Sequence, residues 1–535
     1  MKFFQGKKIY PILVFLGICS AIVLLAFYGV REIPAKYLKE SLAPLKMSDA
    51  FGASNLRVAY LTNTSIQEMK LDPALVNTSQ EANLIRNLYD RLFEFDSEGS
   101  LRPALAEEFY WNGNDIHIKI RKNVKTIDGY LITAEDVSFS FKRLMILGKH
   151  THGDLKSFLC PKHKFSSIQD ECPGIRVENG ELILTAEQPY KNKFLISLLA
   201  SMDFSILPMK SVNINSAKLE IIDYRNTSGP FFLEKDDAKG NFLFSINSNH
   251  YKATKDIPQK IQFVAATQKN MVDLLKSGAV DLLTTVAPIL SQEQMNEFRN
   301  ARDFSFHETL HIKNYFINFF KKKDLNFTPE QRRFLGKEIK KKYLSAFAED
   351  GLEETQEIFP AFSEGSLDDS TAGELKKIIE SSLMDQKIRK ANFAVTDGNS
   401  DKYKTFLNDF SGINVVNYES LGKALLLSEK DSPDIATGYV DASFYESVSL
   451  ISYNINSGKF DMSREEGIQW LEDYMKIEDK AERLKKFRQL HFEALKKAYM
   501  VPMGLGPYTA VVRKPWRFEM PKLYAGTPMW LIKRD

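Results

Sequence analysis

Cysteine is scarce in this chain: among 535 residues there are three, at positions 19, 160 and 172. So sparse a set excludes a disulfide-built scaffold and any four-thiolate zinc module. Charge of neither sign dominates, because 72 Lys and Arg stand against 69 Asp and Glu and leave a net charge of +3. Nucleic-acid binding needs a clustered basic face, and that balance supplies none. The triplets Lys321-Lys322-Lys323 and Lys340-Lys341-Lys342 are isolated runs, read as faces turned to water. Several enzyme signatures are missing too. There is no G-x-S-x-G elbow, no G-x-x-x-x-G-K phosphate loop and no G-x-G-x-x-G dinucleotide turn. No pair of carboxylates is nominated for acid–base work, so a non-enzyme without cofactor or metal is expected.

What is present begins with one long apolar run. Lys2, Lys7 and Lys8 precede Ile9 to Val30, 22 residues without a charge. A helix needs about 20 such residues to cross a bilayer. The run exceeds the roughly 7–15 residues of a cleaved signal, and Ala26-Phe27-Tyr28 is a poor cleavage site. An uncleaved single-pass anchor is expected, with a lipoprotein signal at Cys19 or plain secretion as alternatives. The short N-terminal tail favours a body outside the cytoplasm, in the periplasm or extracytoplasmic space. Cys160 and Cys172, twelve apart in a polar loop, suit a local disulfide worth about 3 kcal/mol in the chain-entropy model. Unpaired thiols, or a metal held with His150, His152 and His163, are the alternatives, although the spacing fits no standard zinc pattern.

After a polar stalk to Ser54, strand and helix patterns mix. "LRVAYL" reads as a strand and "DIHIKI" as a half-buried one, with Ile116, Ile118 and Ile120 on one face. "ELILTA", "NFLFSIN", "KIQFVA" and "NYFINF" are further strands. "QEANLIRNLYDRLFEF" reads as one helix stacking Leu84, Leu88 and Leu92. In "DGYLITAEDVSFSFKRL", a turn at Asp128-Gly129 leads to a helix capped by Thr133, with Glu135 and Asp136 at its positive end. Val137, Phe141 and Leu144 form its apolar face. Thr328-Pro329-Glu330-Gln331 is a capping box that launches another helix. "ANFAVTDG", "KYKTFLNDF" and "INVVNYE" make a βαβ unit.

Taken in order, a set of short motifs resembles family 5 of the bacterial solute-binding proteins, the extracytoplasmic receptors of peptide and related ABC importers. They are "LDPAL" at Leu71, "LYDRLFEFDSEGSLRPALAEEF" at Leu88, the Asp128–Leu144 segment, "TSGPFFL" at Thr227, "NSNHY" at Asn247, "LLKSGAVDLL" at Leu274, "FINF" with Asn318, "VPMG" and "VVRKPW". They run from about Leu56 to the C-terminus. The resemblance implies an α/β, periplasmic-binding-protein type II-like bilobal fold with an extra subdomain, carried behind the N-terminal transmembrane helix. Residues 1–54 would be anchor and stalk; 55–85, 186–306 and 501–535 a discontinuous lobe I; 86–185 the extra subdomain; and 307–500 lobe II.

It also implies a function. An oligopeptide or related solute would lie in an interlobe cleft, drawing the lobes together into the form that permease subunits of the importer recognise. The chain would act as a monomer. A membrane-anchored ligand sensor, or a metal or haem carrier, is the alternative. In peptide-binding members the ligand lies as an added strand, so that main-chain bonds give affinity without reading side chains. The family's glycine-aromatic-x-x-Asp element is similar to "GYVDAS" here. Gly438, Tyr439 and Val440 would offer the strand edge, and Asp441 the countercharge for the peptide amine. Asp441 comes one residue early, and Tyr439 stands where Trp is usual. Asn77, Thr78 and Ser79, after "LDPAL", match the segment that lies along the ligand from the other lobe.

Overall fold

A computed structural model describes residues 52–61, 71–76, 79–147, 156, 159–160, 166–186, 195–196, 199–236, 241–267, 270–284, 290–321, 327–346, 352–382, 390–395, 400–408, 410, 412–418, 427–428, 431–441, 461–522 and 526–535. The body, Ser54–Asp535, forms a unit by itself. The expected membrane helix at Ile9–Val30 lies outside the described residues, and no described helix is long and apolar enough to cross a membrane.

Strand β1 (Asn55–Leu61) is the centre of a seven-stranded sheet. It runs parallel to β10 (Lys260–Ala266) on one side and to β11 (Leu282–Leu283) on the other. A strand covered on both faces reads as a continuous apolar run, and Val58, Ala59 and Tyr60 are fully buried. The full order is β12 (Phe304–Glu308), β19 (Thr509–Arg513), β11, β1, β10, β9 (Phe242–Ile246) and β8 (Phe231–Asp236). A six-stranded sheet has the order β14 (Glu353–Glu354), β18 (Met500–Gly506), β13 (Lys313–Phe319), β17 (Ile435–Asp441), β15 (Ala391–Val395) and β16 (Ile413–Asn417). A four-stranded sheet joins β4 (Ala106–Asn112), β5 (Asp115–Ile120), β7 (Glu181–Thr185) and β6 (Ile175–Glu178). Two ribbons complete the set, β2 (Phe93–Phe95) with β3 (Leu101–Pro103) and β20 (Trp516–Phe518) with β21 (Ile532–Arg534).

Helices cover these sheets with their apolar faces. α1 (Ser79–Leu88) buries Leu84, Ile85 and Leu88 against the seven-stranded sheet. α2 (Ala134–Leu147) buries Val137, Phe141 and Leu144 against the four-stranded one, as its periodicity predicts. α3 (Met271–Lys276) and α4 (Gln292–Asn300) pack beside β1. On the six-stranded sheet lie α5 (Pro329–Ala346) and α7 (Ser400–Leu407). α6 (Asp369–Glu380), α8 (Arg464–Met475) and α9 (Lys480–Lys497) build the layer next to Phe316 and Met500. The βαβ unit is β15, α7 and β16, with Ala391 opposite Ile413 in parallel register.

The chain passes between the two large sheets twice, side by side. β12 leads to β13 through residues 309–312, and β18 to β19 through 507–508. The Thr309 N–H donates to the Tyr508 carbonyl at 3.0 Å, and the Tyr508 N–H to Thr309 Oγ1 at 2.9 Å. Residues 500–506 are β18 of the six-stranded sheet and lie on that side of the crossing at 507–508.

Three expectations change. The helix read through Leu92 stops at Leu88, and Phe93–Phe95 is a strand. Its last carbonyl, on Leu88, accepts from the Gly229 N–H at 2.9 Å. A Cβ on Gly229 would sit 2.6 Å from that carbonyl, so only glycine lets "TSGP" close the helix there. Leu92 then packs in the core of the four-stranded sheet and not with Leu84. Second, Thr133 does not accept from the first turn. Its N–H and hydroxyl both donate to Asp136 Oδ2, at 2.9 and 3.3 Å. Asp136, fully buried, also receives the Tyr130 hydroxyl and the Met209 N–H. Burial raises its carboxyl pKa against those donors. Third, Lys340 is 5% exposed and not on a face turned to water. Its ammonium donates to the Thr355 carbonyl and pairs with Glu354 at 3.1 Å, which its buried charge requires.

Candidate functional site

β17 carries Gly438, Tyr439, Val440 and Asp441 near the crossings. β13 pairs with its whole length, from Phe319 opposite Ile435 to Lys313 opposite Asp441. On the other side β15 reaches only Ile435 and Ala436. The Phe320 N–H donates to the Asp434 carbonyl at 2.9 Å. Main-chain groups in an antiparallel ladder alternate in direction along each strand. Ala436, Gly438 and Val440 thus face β13, while Thr437, Tyr439 and Asp441 turn their N–H and C=O groups away. Among the described residues no strand meets those three. A stretch that no described strand covers can take one more strand.

The side chains around this edge have separate reasons. Gly438 lies opposite Phe316, whose ring would stand 3.1 Å from an added Cβ and would have to shift to admit one. The Tyr439 ring is 45% exposed and leans on Tyr315 at 6.0 Å. Sequence reading missed the group beneath it. Lys313, 8% exposed, sets its ammonium 4.4 Å from the Tyr439 ring, 5.0 Å from Tyr315 and 5.3 Å from Tyr508. Such cation–π contacts strengthen when desolvated. One cation thus touches the candidate strand and the crossing at 508. The alternation of "KNYFINF" puts Lys313 on the Tyr315 face and could have signalled it; Tyr508 carries no such signal.

The other expected residues are only partly visible. Asn77 and Thr78 lie outside the described residues, and Ser79 opens α1. Cys160 and Cys172 form a disulfide, with Cα atoms 5.5 Å apart. His150, His152 and His163 lie outside the described residues, and no described cluster could hold a metal. The sequence reading also passed over His307-Glu308-Thr309-Leu310-His311, which has the H-E-x-x-H spelling. That motif needs both imidazoles on one helical face. Here His307 and Glu308 end a strand, and His311 lies in the crossing, its Nδ1 3.0 Å from Glu353. Burial lowers the His307 pKa.

Most family-like motifs prove to be joints. Asp72 of "LDPAL" accepts two guanidinium bonds from Arg143 of the Asp128–Leu144 segment. Asn247 Nδ2 of "NSNHY" donates to the Lys125 carbonyl at 2.8 Å, and Asn249 Nδ2 to that of Thr126 at 2.9 Å. His250 meets Asp90 of "LYDRL" at 3.0 Å, and Lys252 bridges Asp90 and Glu94. Burial alone would raise the Asp90 carboxyl, but Lys252 and His250 outweigh it and hold it far below the usual range. His491 is buried neutral, accepting from the Ile358 N–H and facing the Gly365 carbonyl through Nδ1; Glu357 lies 3.9 Å away. Burial pushes its imidazole down to about 3.

Two α/β sheets joined by paired crossings form the bilobal α/β fold of the periplasmic peptide-binding proteins. The structure overlays Haemophilus influenzae OppA in complex with RPPGFSPFR at a TM-score of 0.69 and 15% identity, covering 90% of this chain and 99% of that one. It overlays DppA from Helicobacter pylori in complex with peptide STSA at 0.69 and 17%, covering 90% and 98%. In sequence, residues 100–334 match the model of bacterial extracellular solute-binding proteins, family 5 Middle. Periplasmic oligopeptide-binding protein OppA of Salmonella typhimurium is 24% identical over 257 residues, 44% of this chain. That match spans 46% of the relative's own length, so less than half of it is compared. Together these matches support solute-binding family 5 for this chain, as its motifs imply.

Proposed function

We propose that this chain is the substrate-binding component of an ABC importer, holding an oligopeptide outside the cytoplasm. The peptide adds as a strand beside β17, along Thr437, Tyr439 and Asp441. Main-chain bonds supply affinity that is blind to sequence, and the exposed Tyr439 ring packs on whatever side chain lies over it. Asp441 meets the peptide amine, and residues 77–79 close from the other lobe. Residues 55–85, 186–306 and the chain after the 507–508 crossing make one lobe, 86–185 an added subdomain and 307–506 the second lobe. The apolar run Ile9–Val30 tethers the protein to the membrane beside its permease subunits.

The observation that carries this reading is that β17, beside the two crossings, pairs along its whole length with β13 while no described strand covers Thr437 to Asp441 on its other side. The test is native mass spectrometry of the purified chain offered a mixed pool of short peptides. Retention of intact peptides, released unchanged on denaturation, is the expected result. A protein that retains none of the pool, or returns only cleaved products, would refute it.

A further inference from the structure

The opposite end of the six-stranded sheet holds a second feature, a cavity of about 340 Å³ under α5. Ligand pockets run from about 300 to 1,000 Å³, so it is at the small end of that range. Four cationic side chains from one helix line it: Arg333, Lys337, Lys340 and Lys341. Their spacing of four, seven and eight residues puts them on one face. The lining has one carboxylate, Glu354, and Lys340 already engages it at 3.1 Å. Arg333 bonds only neutral groups, Ser382 Oγ and the Lys496 carbonyl. Lys337 reaches the Glu380 carbonyl at 3.5 Å. Glu330, three residues earlier on the same helix, acts on Arg333 as a countercharge, and among the described residues no carboxylate pairs with Lys337 or Lys341. The remaining walls are largely apolar, supplied by α5, α6, α9 and β18, with Leu344 and Val501 among them.

Like charges four apart oppose a helix by a few tenths of a kcal/mol each. Arg333 with Lys337, and Lys337 with Lys341, are two such pairs on one wall. Desolvation already lowers the pKa of Arg333 and Lys340. A bound anion would offset both effects, and an apolar body would cover the other walls. We infer that this cavity binds a small organic anion, a carboxylate with a short apolar body. The site is separate from the peptide edge, because β13 lies between β18, which lines the cavity, and β17.

The test is calorimetric titration of the full chain in phosphatidylcholine nanodiscs with 4-butylbenzoate, with empty discs as reference. Saturable binding is expected, weakened about tenfold or more when the neutral 4-butylbenzyl alcohol replaces the carboxylate. The double variant Lys337→Gln/Lys341→Gln removes two charges without a carboxylate partner and should weaken 4-butylbenzoate by about the same factor. Peptide retention should be unchanged in that variant. No saturation by about 1 mM, equal affinity for the alcohol, or an unaltered double variant would each overturn the proposal. Inorganic phosphate binding as tightly as 4-butylbenzoate would overturn its apolar part.

Discussion

Replacing Arg143 with Met should be among the most damaging single changes in the body, although Arg143 lies in no candidate site. Its side chain is 1% exposed. It donates to both Asp72 oxygens, to Oδ1 at 2.8 Å, and twice more to the Leu219 carbonyl, at 3.0 and 2.9 Å. Methionine fills much of the same volume but leaves Asp72 with only the Ala74 N–H at 3.0 Å. Removing one partner of a buried ion pair costs about 3–5 kcal/mol. Stranding the Leu219 carbonyl pushes the loss toward the upper end. Leu219 holds a positive φ of 46°, a strained conformation that those two bonds help keep. Urea unfolding of wild type, Arg143→Met, Asp72→Asn and the double variant forms a cycle. Asp72→Asn in the Arg143→Met background should recover stability, because it deletes the uncompensated charge. A loss below about 1 kcal/mol for Arg143→Met, or no coupling in the cycle, would refute the reasoning.

Three further outcomes are expected. Gly229→Ala should destabilise the body by roughly 1–3 kcal/mol in the same urea assay, since its Cβ meets the Leu88 carbonyl at 2.6 Å; a neutral effect would contradict the close approach. His491 is held neutral with a folded pKa of about 3, below an unfolded value near 6.5. Its contribution is therefore complete above about pH 6.5 and is lost as pH falls toward 3, at about 1.4 kcal/mol per unit. The stability gap between wild type and His491→Gln should shrink by about 2 kcal/mol from pH 7.5 to 5, and a constant gap would rule this out. Asp441→Ala should weaken a free-amine peptide by about 2–5 kcal/mol and its N-acetylated form far less; equal losses by calorimetry would remove Asp441 from that role.

Much of the fold was legible because hydrophobic periodicity is a local signal. The alternation of "DIHIKI" placed Ile116, Ile118 and Ile120 inward, and they are buried. The capping box at Thr328 is present, with Thr328 and Gln331 exchanging both bonds. What local pattern cannot carry is closure at a distance. α1 ends where it does because Gly229, far along the chain, takes the Leu88 carbonyl. Lys340 looked like part of a solvated run because its partners Glu354 and Thr355 come from another element. The same limit holds at the candidate site. "GYVDAS" pointed to β17, but its pairing depends on β13 and β15, distant in sequence, and the Lys313 cluster on a crossing at Tyr508. Asp136 shows a related miss, since one of its donors, the Met209 N–H, comes from far along the chain.

Amide hydrogen exchange along β17, with and without a bound short peptide, tests strand addition most directly. The amides of Thr437, Tyr439 and Asp441 should slow sharply on binding, while Gly438 and Val440, already facing β13, should change little. A peptide that binds and leaves those three amides exchanging as before would contradict the account.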